Sequence, residues 1–118
     1  MIKNIIQKLI SASVPSFFAM LTIGFLAYIV SSNTLSMVMV VSFGATMVLL
    51  FGYPDSPFAR PKNILLGHSV TTIAGIVISS LIQSPTFLLL GLSVGFGIFL
   101  MLIFDIVHPP AGGNPIAV

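Results

Sequence analysis

The residues of this sequence that are best suited to chemistry lie near its C-terminal end, where an acid and a histidine stand close together. Asp105 and His108 are three positions apart, a spacing that places both on one helix face if the last turn stays helical. They could then share a proton or a hydrogen bond. Since histidine titrates near neutral pH, His108 and the earlier His68 are each able to carry a proton together with an anion.

Prolines and glycines follow this histidine and restrict the backbone around it. Pro109 disfavours helical geometry in the residue before it, so the preceding helix is predicted to end near Val107. Gly112 and Gly113 tolerate positive φ, and the sequence therefore predicts a sharp turn whose successive amides point into a small anion-holding concavity. A helix C-terminus followed by an ordinary Pro/Gly turn explains the same residues equally well.

The composition indicates the surroundings in which this chemistry would take place. Hydrophobic residues make up 57% of the 118 positions and charged residues 5%, and the mean hydropathy is +1.19. In soluble domains about a quarter of all residues are charged. The sequence therefore predicts an integral membrane protein whose main partner is the lipid bilayer, organised as one domain over residues 1–118.

Four apolar stretches are long enough to serve as transmembrane helices. The first lies at the short end of what a bilayer core of about 30 Å requires. The predicted fold class is an all-α membrane bundle of four helices, with the Pro/Gly-rich segment as a loop or re-entrant element at the end of the fourth. The predicted spans are residues 14–30, 35–51, 63–82 and 86–107.

Small residues mark the predicted contact between the third and fourth helices. On the third helix they recur at every fourth position, as Gly67, Thr71, Gly75 and Ser79. The fourth helix carries a GxxxG pattern at Gly91 and Gly95, with Gly97 two positions later. Such faces let helix backbones approach closely in membranes, so we expect these two helices to pack on each other through them.

The basic residues favour one orientation in the membrane. They are Lys3, Lys8, Arg60 and Lys62. Two predicted spans separate the two pairs, which places all four on one side, and the connections at residues 31–34 and 83–85 carry no basic residue. The N-terminus is therefore predicted to be cytoplasmic in a bacterial inner membrane, or stromal in a plastid envelope.

The same topology predicts one polar cluster. His68, Thr46, Asp105 and His108 all fall in the cytoplasmic third of the bilayer. Ionisable groups at membrane depth usually face the bundle interior or a water-filled cavity, so such a cluster is a functional-site hypothesis. A structural role explains it as well: His68 would cap a neighbouring carbonyl, and Asp105 would hold His108 to fix the loop.

A family resemblance rests on the same residues. Residues 108–113 read His-Pro-Pro-Ala-Gly-Gly and resemble the motif that names the HPP family of integral membrane proteins. Residues 42–52 and 56–61, followed by Gly67 and His68, also match in order, so the resemblance covers roughly residues 36–118. Residues 113–114 read Gly-Asn where many members have Ala-Thr. Members also continue into a further apolar segment, so we expect this chain to lack a C-terminal span of the family.

The resemblance implies a transport function. HPP-family proteins of cyanobacteria and plastid envelopes are associated with nitrite transport, so we expect passage of a small monovalent inorganic anion, nitrite first. A chain this small cannot easily enclose a pathway alone, and we expect a homo-oligomer. Arg60, Lys62 and the amides after Pro110 would attract the anion. The predicted pathway residues are Thr46, Arg60, His68, Asp105, His108, Pro109, Pro110, Gly112 and Gly113.

Two other classes of function are open. A structural, assembly or sensory membrane subunit would use the glycine faces to hold a partner. A membrane enzyme acting on a lipid head group would use His108 as base and Asp105 to orient it. That pair alone is a weak signal, and we expect no enzymatic activity and no catalytic residue.

Cofactor, metal and nucleic-acid chemistry find no support in the sequence. No P-loop or Rossmann fingerprint occurs, and the HxxxH and HExxH spacings of zinc sites are absent. There is no GxSxG elbow and no cysteine to supply a thiolate. Four basic residues in a chain of net charge +2 are too few for nucleic-acid binding. We therefore expect no cofactor, no metal and no nucleic-acid partner.

Overall fold

The structure is a computed structural model that describes residues 2–30, 34–83 and 85–118, and within them every regular element is helical. Four α-helices follow one another: α1 Ile2–Val30, α2 Thr34–Met47, α3 Pro61–Leu81 and α4 Thr86–Ile103. Three shorter elements complete the fold: a π turn Val48–Gly52 that continues α2, a 3₁₀ turn Pro57–Ala59 and a C-terminal 3₁₀ helix Pro109–Ile116.

Three of these helices, α1, α3 and α4, are long and apolar enough to cross a membrane. The second helix is shorter, and with the π turn it forms an apolar helix over Met39–Gly52. The described residues thus give three candidate spans and one shorter apolar helix, where the sequence predicts four spans. Residues 31–33 and Ser84, which fall in the two predicted connections, lie outside the described residues.

The observed helix ends differ from the predicted ones in two places. The first helix begins at Ile2 rather than near residue 14, so Pro15 lies inside it. The fourth helix ends at Ile103, before the predicted end near Val107. Pro61 opens α3 in its first turn, where the fixed φ of proline suits a helix start.

The early end of α4 follows from a left-handed backbone conformation at Asp105. Its φ of 51° is the one positive value among non-glycine residues in the described part of the chain. The Asp105 amide donates to the carbonyl of Leu102 at 3.4 Å, and the Ile106 amide donates to that of Met101 at 3.0 Å. These two bonds form a Schellman motif, in which glycine usually takes the left-handed position. Ile106 then packs with Met101 and Ala111 in the core.

The small-residue face of α3 receives the C-terminal 3₁₀ helix. A Cβ atom added to Gly75 would lie 2.9 Å from the Cα of Pro115, and one added to Gly67 would lie 2.9 Å from the Cβ of His108. Both positions therefore require glycine. The close backbone approach predicted for this face occurs, and much of it is made by the segment that carries the two prolines and His108.

The fourth helix packs on α3 through Gly97 rather than through its GxxxG pattern. A Cβ atom added to Gly97 would lie 3.2 Å from the side chain of Thr71, which is fully buried. At Gly91 and Gly95 an added Cβ meets no described atom within 4 Å. The prediction that these two glycines pack on α3 is wrong because Gly95 and Gly97, two positions apart, point to nearly opposite sides of an α-helix.

Alanine substitutions separate the two glycine faces. Gly75→Ala is expected to lower the free energy of unfolding in detergent by about 1–3 kcal/mol, because the methyl group needs space that the Pro115 backbone occupies. Gly95→Ala is the matched control and is expected to be neutral or stabilising, since alanine is the better helix former. Equal losses in a chemical unfolding titration would contradict this assignment.

A second substitution tests the end of α4. Asp105→Gly is expected to raise the free energy of unfolding by about 1 kcal/mol, because a left-handed conformation costs a side-chain-bearing residue roughly 1–2 kcal/mol. Asp55→Gly is the control, since Asp55 is exposed and has no positive φ. Thermal unfolding of the two variants measures the difference. A loss of stability in Asp105→Gly would show that the carboxylate has a structural partner.

Candidate functional site

A buried polar cluster lies where α2, α3 and the C-terminal 3₁₀ helix meet. It consists of Thr46 from α2, His68 from α3, and His108 and Asn114 from the C-terminal segment. Thr46 is 1% exposed, His68 8%, and His108 and Asn114 0%. Polar side chains buried this completely are costly unless each finds a hydrogen-bond partner.

The ring of His108 is held from both sides. Its Nδ1 lies 2.8 Å from the carbonyl oxygen of Phe58, which can only accept, so Nδ1 carries the hydrogen and donates. The Nε2 of the neutral ring is then an acceptor. The hydroxyl of Thr46, 2.9 Å away, donates to it. These two contacts fix both the orientation and the tautomer of His108.

The ring of His68 has the opposite tautomer. The amide nitrogen of Asn114 lies 2.8 Å from its Nδ1 and 3.1 Å from its carbonyl oxygen, and the carbonyl requires a donor at that place. Nδ1 therefore accepts, and Nε2 carries the hydrogen. This Nε2 lies 3.0 Å from the Thr46 hydroxyl oxygen and donates to it.

One directed series of hydrogen bonds follows from these assignments. Asn114 donates to His68, His68 to Thr46, Thr46 to His108, and His108 to the Phe58 carbonyl. The Thr46 hydroxyl also lies 3.1 Å from the carbonyl oxygen of Ser42, a competing and longer acceptor. In this state both imidazoles are neutral, and all of their hydrogens are engaged.

Packing and a backbone bond keep the two rings in place. The ring of Phe43 stacks on His68 at a centroid distance of 4.4 Å and an interplanar angle of 9°. The two imidazole centroids are 5.0 Å apart. Asn63 donates from its side chain to the carbonyl of Val107 at 2.9 Å, which ties the start of α3 to the residue before His108.

Burial also affects the protonation of His108, which follows the end of α4. Desolvation lowers the pKa of His108 from its ordinary value, and the hydrogen bond to the Phe58 carbonyl opposes this change. The net lowering means that the neutral ring is favoured in the folded protein. The hydrogen-bond directions require that same neutral form.

Of the nine predicted pathway residues, six do not join the cluster through their side chains. Asp105 and Arg60 are exposed. The prediction of a bond between Asp105 and His108 is wrong. Asp105 lies in a left-handed turn that directs it away from His108, and both ring nitrogens of His108 have other partners. Gly112 and Gly113 have no positive φ, so the predicted turn of amides is replaced by a 3₁₀ helix.

The remaining predicted residues shape the C-terminal segment. Pro109 and Pro110 form the first turn of the 3₁₀ helix, after His108 as its N-cap residue. The amide of Ala111 donates to the His108 carbonyl at 2.9 Å. Gly113 lies close to α2, because a Cβ atom there would be 2.7 Å from the Ser42 hydroxyl. The structure therefore brings together Thr46, His68 and His108 of the predicted set.

The cluster also includes parts that the sequence pattern does not predict, namely Asn114, Phe43, Asn63 and the Phe58 carbonyl. One feature of the sequence does point to Asn114. Its amide lies among apolar residues beside the prolines, and a polar group at membrane depth needs hydrogen-bond partners. The Phe58 contact uses a backbone oxygen, which no residue type can reveal.

The described residues line several cavities near these helices. A groove of about 380 Å³ opens beside the cluster, and it is lined by Met39, His68, Ser69, Thr72, Ile73 and Asn114. A larger cavity of about 600 Å³ lies between α1 and the end of α2, and residues such as Ala19, Met47 and Phe51 line it. The larger one contains no ionisable side chain and suits hydrocarbon, so the smaller groove is the one relevant to polar solutes.

Metal binding has little basis in this geometry. In residues 2–30, 34–83 and 85–118 no three histidine, cysteine or carboxylate side chains come together. The two imidazoles that do meet have every ring nitrogen in a hydrogen bond. The donor set is thus two neutral imidazoles, one hydroxyl and one amide, which are suited to exchanging protons and hydrogen bonds.

Comparison with known proteins identifies the family of this chain. The family model described as "HPP, transmembrane region" matches residues 3–118. The chain belongs to the HPP transmembrane family. It is therefore an integral membrane protein, and the His-Pro-Pro residues of the HPP motif are those that enter the polar cluster and begin the C-terminal 3₁₀ helix.

Two curated relatives of this HPP chain come from Dictyostelium discoideum, and both are described as transmembrane proteins. One is 31% identical over 102 residues, which cover 84% of this chain and 36% of the relative. The other is 33% identical over 102 residues, which cover 84% of this chain and 33% of the relative. The chain thus spans about a third of the length of these relatives. No solved structure matches it.

The hydroxyl of Thr46 lies at the centre of the buried polar cluster, and a substitution tests its contribution. Thr46→Val keeps the side-chain shape and leaves one ring hydrogen of His68 and one ring acceptor of His108 without a partner. We expect a loss of about 1–3 kcal/mol in the free energy of unfolding for each group left unpaired. Chemical unfolding in detergent measures this loss.

Thr22→Val on α1 is the matched control for this substitution. Its hydroxyl is exposed and donates to the carbonyl of Phe18 at 2.8 Å, as Thr46 can donate to that of Ser42. The control therefore removes a helix-internal bond without affecting an imidazole. If the two variants lose the same stability, the contacts to the histidines contribute nothing.

Proposed function

We propose that this HPP chain forms part of a membrane path for a small monovalent anion, with nitrite as the first candidate, and that it is not an enzyme. The observation that supports this most directly is the pair of buried histidines joined through the Thr46 hydroxyl. Ionisable groups in a lipid-embedded helix bundle commonly mark ion pathways and proton relays. The nitrite assignment itself comes from the family resemblance.

The proposal includes a topology. The second helix and its π turn cross the membrane in addition to α1, α3 and α4. The C-terminal 3₁₀ helix is a re-entrant element packed against α3. The N-terminus is then on the cytoplasmic or stromal side. Arg60 and Lys62 are exposed at the start of α3, on the same side, where they attract anions to the mouth of the path.

The state of the cluster limits how an anion can bind there. Both imidazoles are neutral, and their hydrogens already have acceptors, so the cluster offers an anion no free donor. Protonation of one histidine adds a hydrogen and a positive charge. We therefore propose that anion movement in this protein is coupled to a proton.

A membrane enzyme receives less support from the same geometry. The Asp/His pair on which that alternative depends is not formed, because Asp105 is exposed and His108 contacts Phe58 and Thr46. A structural or assembly role is favoured by one observation: Gly91 and Gly95 meet no described atom within 4 Å of an added Cβ. We propose that this face forms the contact between protomers of a homo-oligomer.

Nitrite flux into proteoliposomes tests the function. His108→Asn is expected to lower the initial rate at least about tenfold, since the amide can replace Nδ1 as donor to the Phe58 carbonyl but cannot relay a proton. Asp105→Asn is the control and is expected to keep the wild-type rate. The chain should be measured alone and extended by the further apolar span that the resemblance implies.

Two outcomes would count against the proposal. Absence of nitrite flux at either length, with insertion and folding intact, removes the transport assignment and turns attention to partner binding through Gly91 and Gly95. A loss of flux in Asp105→Asn that equals the loss in His108→Asn would restore the Asp/His pair as the working unit.

A further inference from the structure

The cavity of about 600 Å³ between α1 and the end of α2 is lined by residues other than those of the buried polar cluster. Along α1 its lining runs from Ser11 to Ile23, which is about 18 Å at the helical rise. The ring of Phe18 stacks on that of Phe51 at a centroid distance of 6.5 Å and holds the two walls together. Since one leaflet of a bilayer core is about 15 Å deep, the cavity has about the length of a lipid chain.

The volume of this cavity favours a hydrocarbon chain over a protein helix. A helix with its side chains is about 10–12 Å across, so a piece about 18 Å long occupies roughly 1,400 Å³. The cavity holds about 600 Å³, less than half of that. A single acyl chain is far thinner than a helix, and the apolar lining suits it.

A polar acceptor lies at the N-terminal end of the cavity. Pro15 stands inside α1 and has no N–H, so the carbonyl of Ser11 lacks its usual helix donor. The Ser11 hydroxyl donates to the carbonyl of Lys8 at 3.0 Å, and both Ser11 and Pro15 line the cavity. A carbonyl without a donor is costly in hydrocarbon. This end of the cavity therefore suits the hydroxyl groups of a lipid head group.

A positive charge lies beyond the same end. Lys8, Ala12, Pro15 and Ala19 follow one another at intervals of four, three and four residues, which places them on one face of α1. Lys8 is exposed, and residues 9–30 contain no charged side chain. Lysines at the ends of membrane helices extend their ammonium groups to the head-group level. The charge of Lys8 is thus complementary to a lipid phosphate above the cavity.

We propose that this cavity binds an anionic phospholipid, with one acyl chain along Ala12, Pro15 and Ala19 and the phosphate beside Lys8. The length and volume of the cavity select the chain, and Lys8 selects the negative head group. The site is separate from the proposed anion path, because its lining shares no residue with the buried polar cluster.

Native mass spectrometry of the chain in detergent tests the head-group part of this site. The added lipid is phosphatidylglycerol or phosphatidylcholine with the same acyl chains. We expect the chain to retain phosphatidylglycerol about fivefold better, the effect of one lysine near an anionic membrane surface. Lys8→Gln is expected to lower its retention to the level of phosphatidylcholine. Lys3→Gln is the control, since Lys3 lies on the side of α1 opposite Ala12.

A pair of serine substitutions on α1 tests the hydrocarbon part. Ser16→Phe places a ring at the cavity wall and is expected to lower the retention of both lipids at least about fivefold, because chain and ring compete for the same space. Ser13→Phe makes the same change at an exposed serine that is not part of the cavity lining. This control should retain both lipids as the wild type does.

Equal retention of the two lipids by the wild type would overturn the proposal, as would unchanged retention in Ser16→Phe. Two other occupants give different results, and either of them also overturns it. More dimer crosslinking through Ser16→Cys than through Ser13→Cys, in a sequence without cysteine, would show that a second copy covers the cavity. Loss of bound phosphatidylglycerol in the chain extended by the further apolar span would show that this span does.

Discussion

A single hydroxyl group between two buried imidazoles is the interaction on which this arrangement of helices depends. Thr46 accepts from His68 and donates to His108, and so connects three separate parts of the chain. Removal from water makes each unpaired polar group costly, so the three side chains hold one another in place. The glycines of α3 and the prolines after His108 allow the backbones to approach closely enough for this contact.

The direction of these hydrogen bonds also limits the chemistry. Because the series runs from the Asn114 amide to the Phe58 carbonyl with every ring hydrogen engaged, the neutral cluster holds no charge and no free donor. A cluster of this kind does not attract an anion by itself. In the proposed path, passage of an anion through this cluster would therefore have to begin with a proton.

The sequence predicts the membrane class, the all-helical fold and the meeting of Thr46, His68 and His108, because these depend on hydropathy, helix periodicity and depth. It does not predict the end of α4. The sequence predicts that Asp105 continues a helix towards His108, but the hydrophobic contact of Ile106 with Met101 across the helix end favours a left-handed residue there. Gly112 and Gly113 tolerate positive φ but do not adopt it, because the two prolines before them begin a 3₁₀ helix that packs tightly on α3.

The same packing holds the C-terminal segment against α2 and α3. Pro115 lies against Gly75, His108 against Gly67 and Gly113 against Ser42, so the C-terminal 3₁₀ helix is fixed along its length on two other helices. Backbone movement of this helix would break all three contacts at once. The packing therefore opposes a hinge motion of the HPP segment.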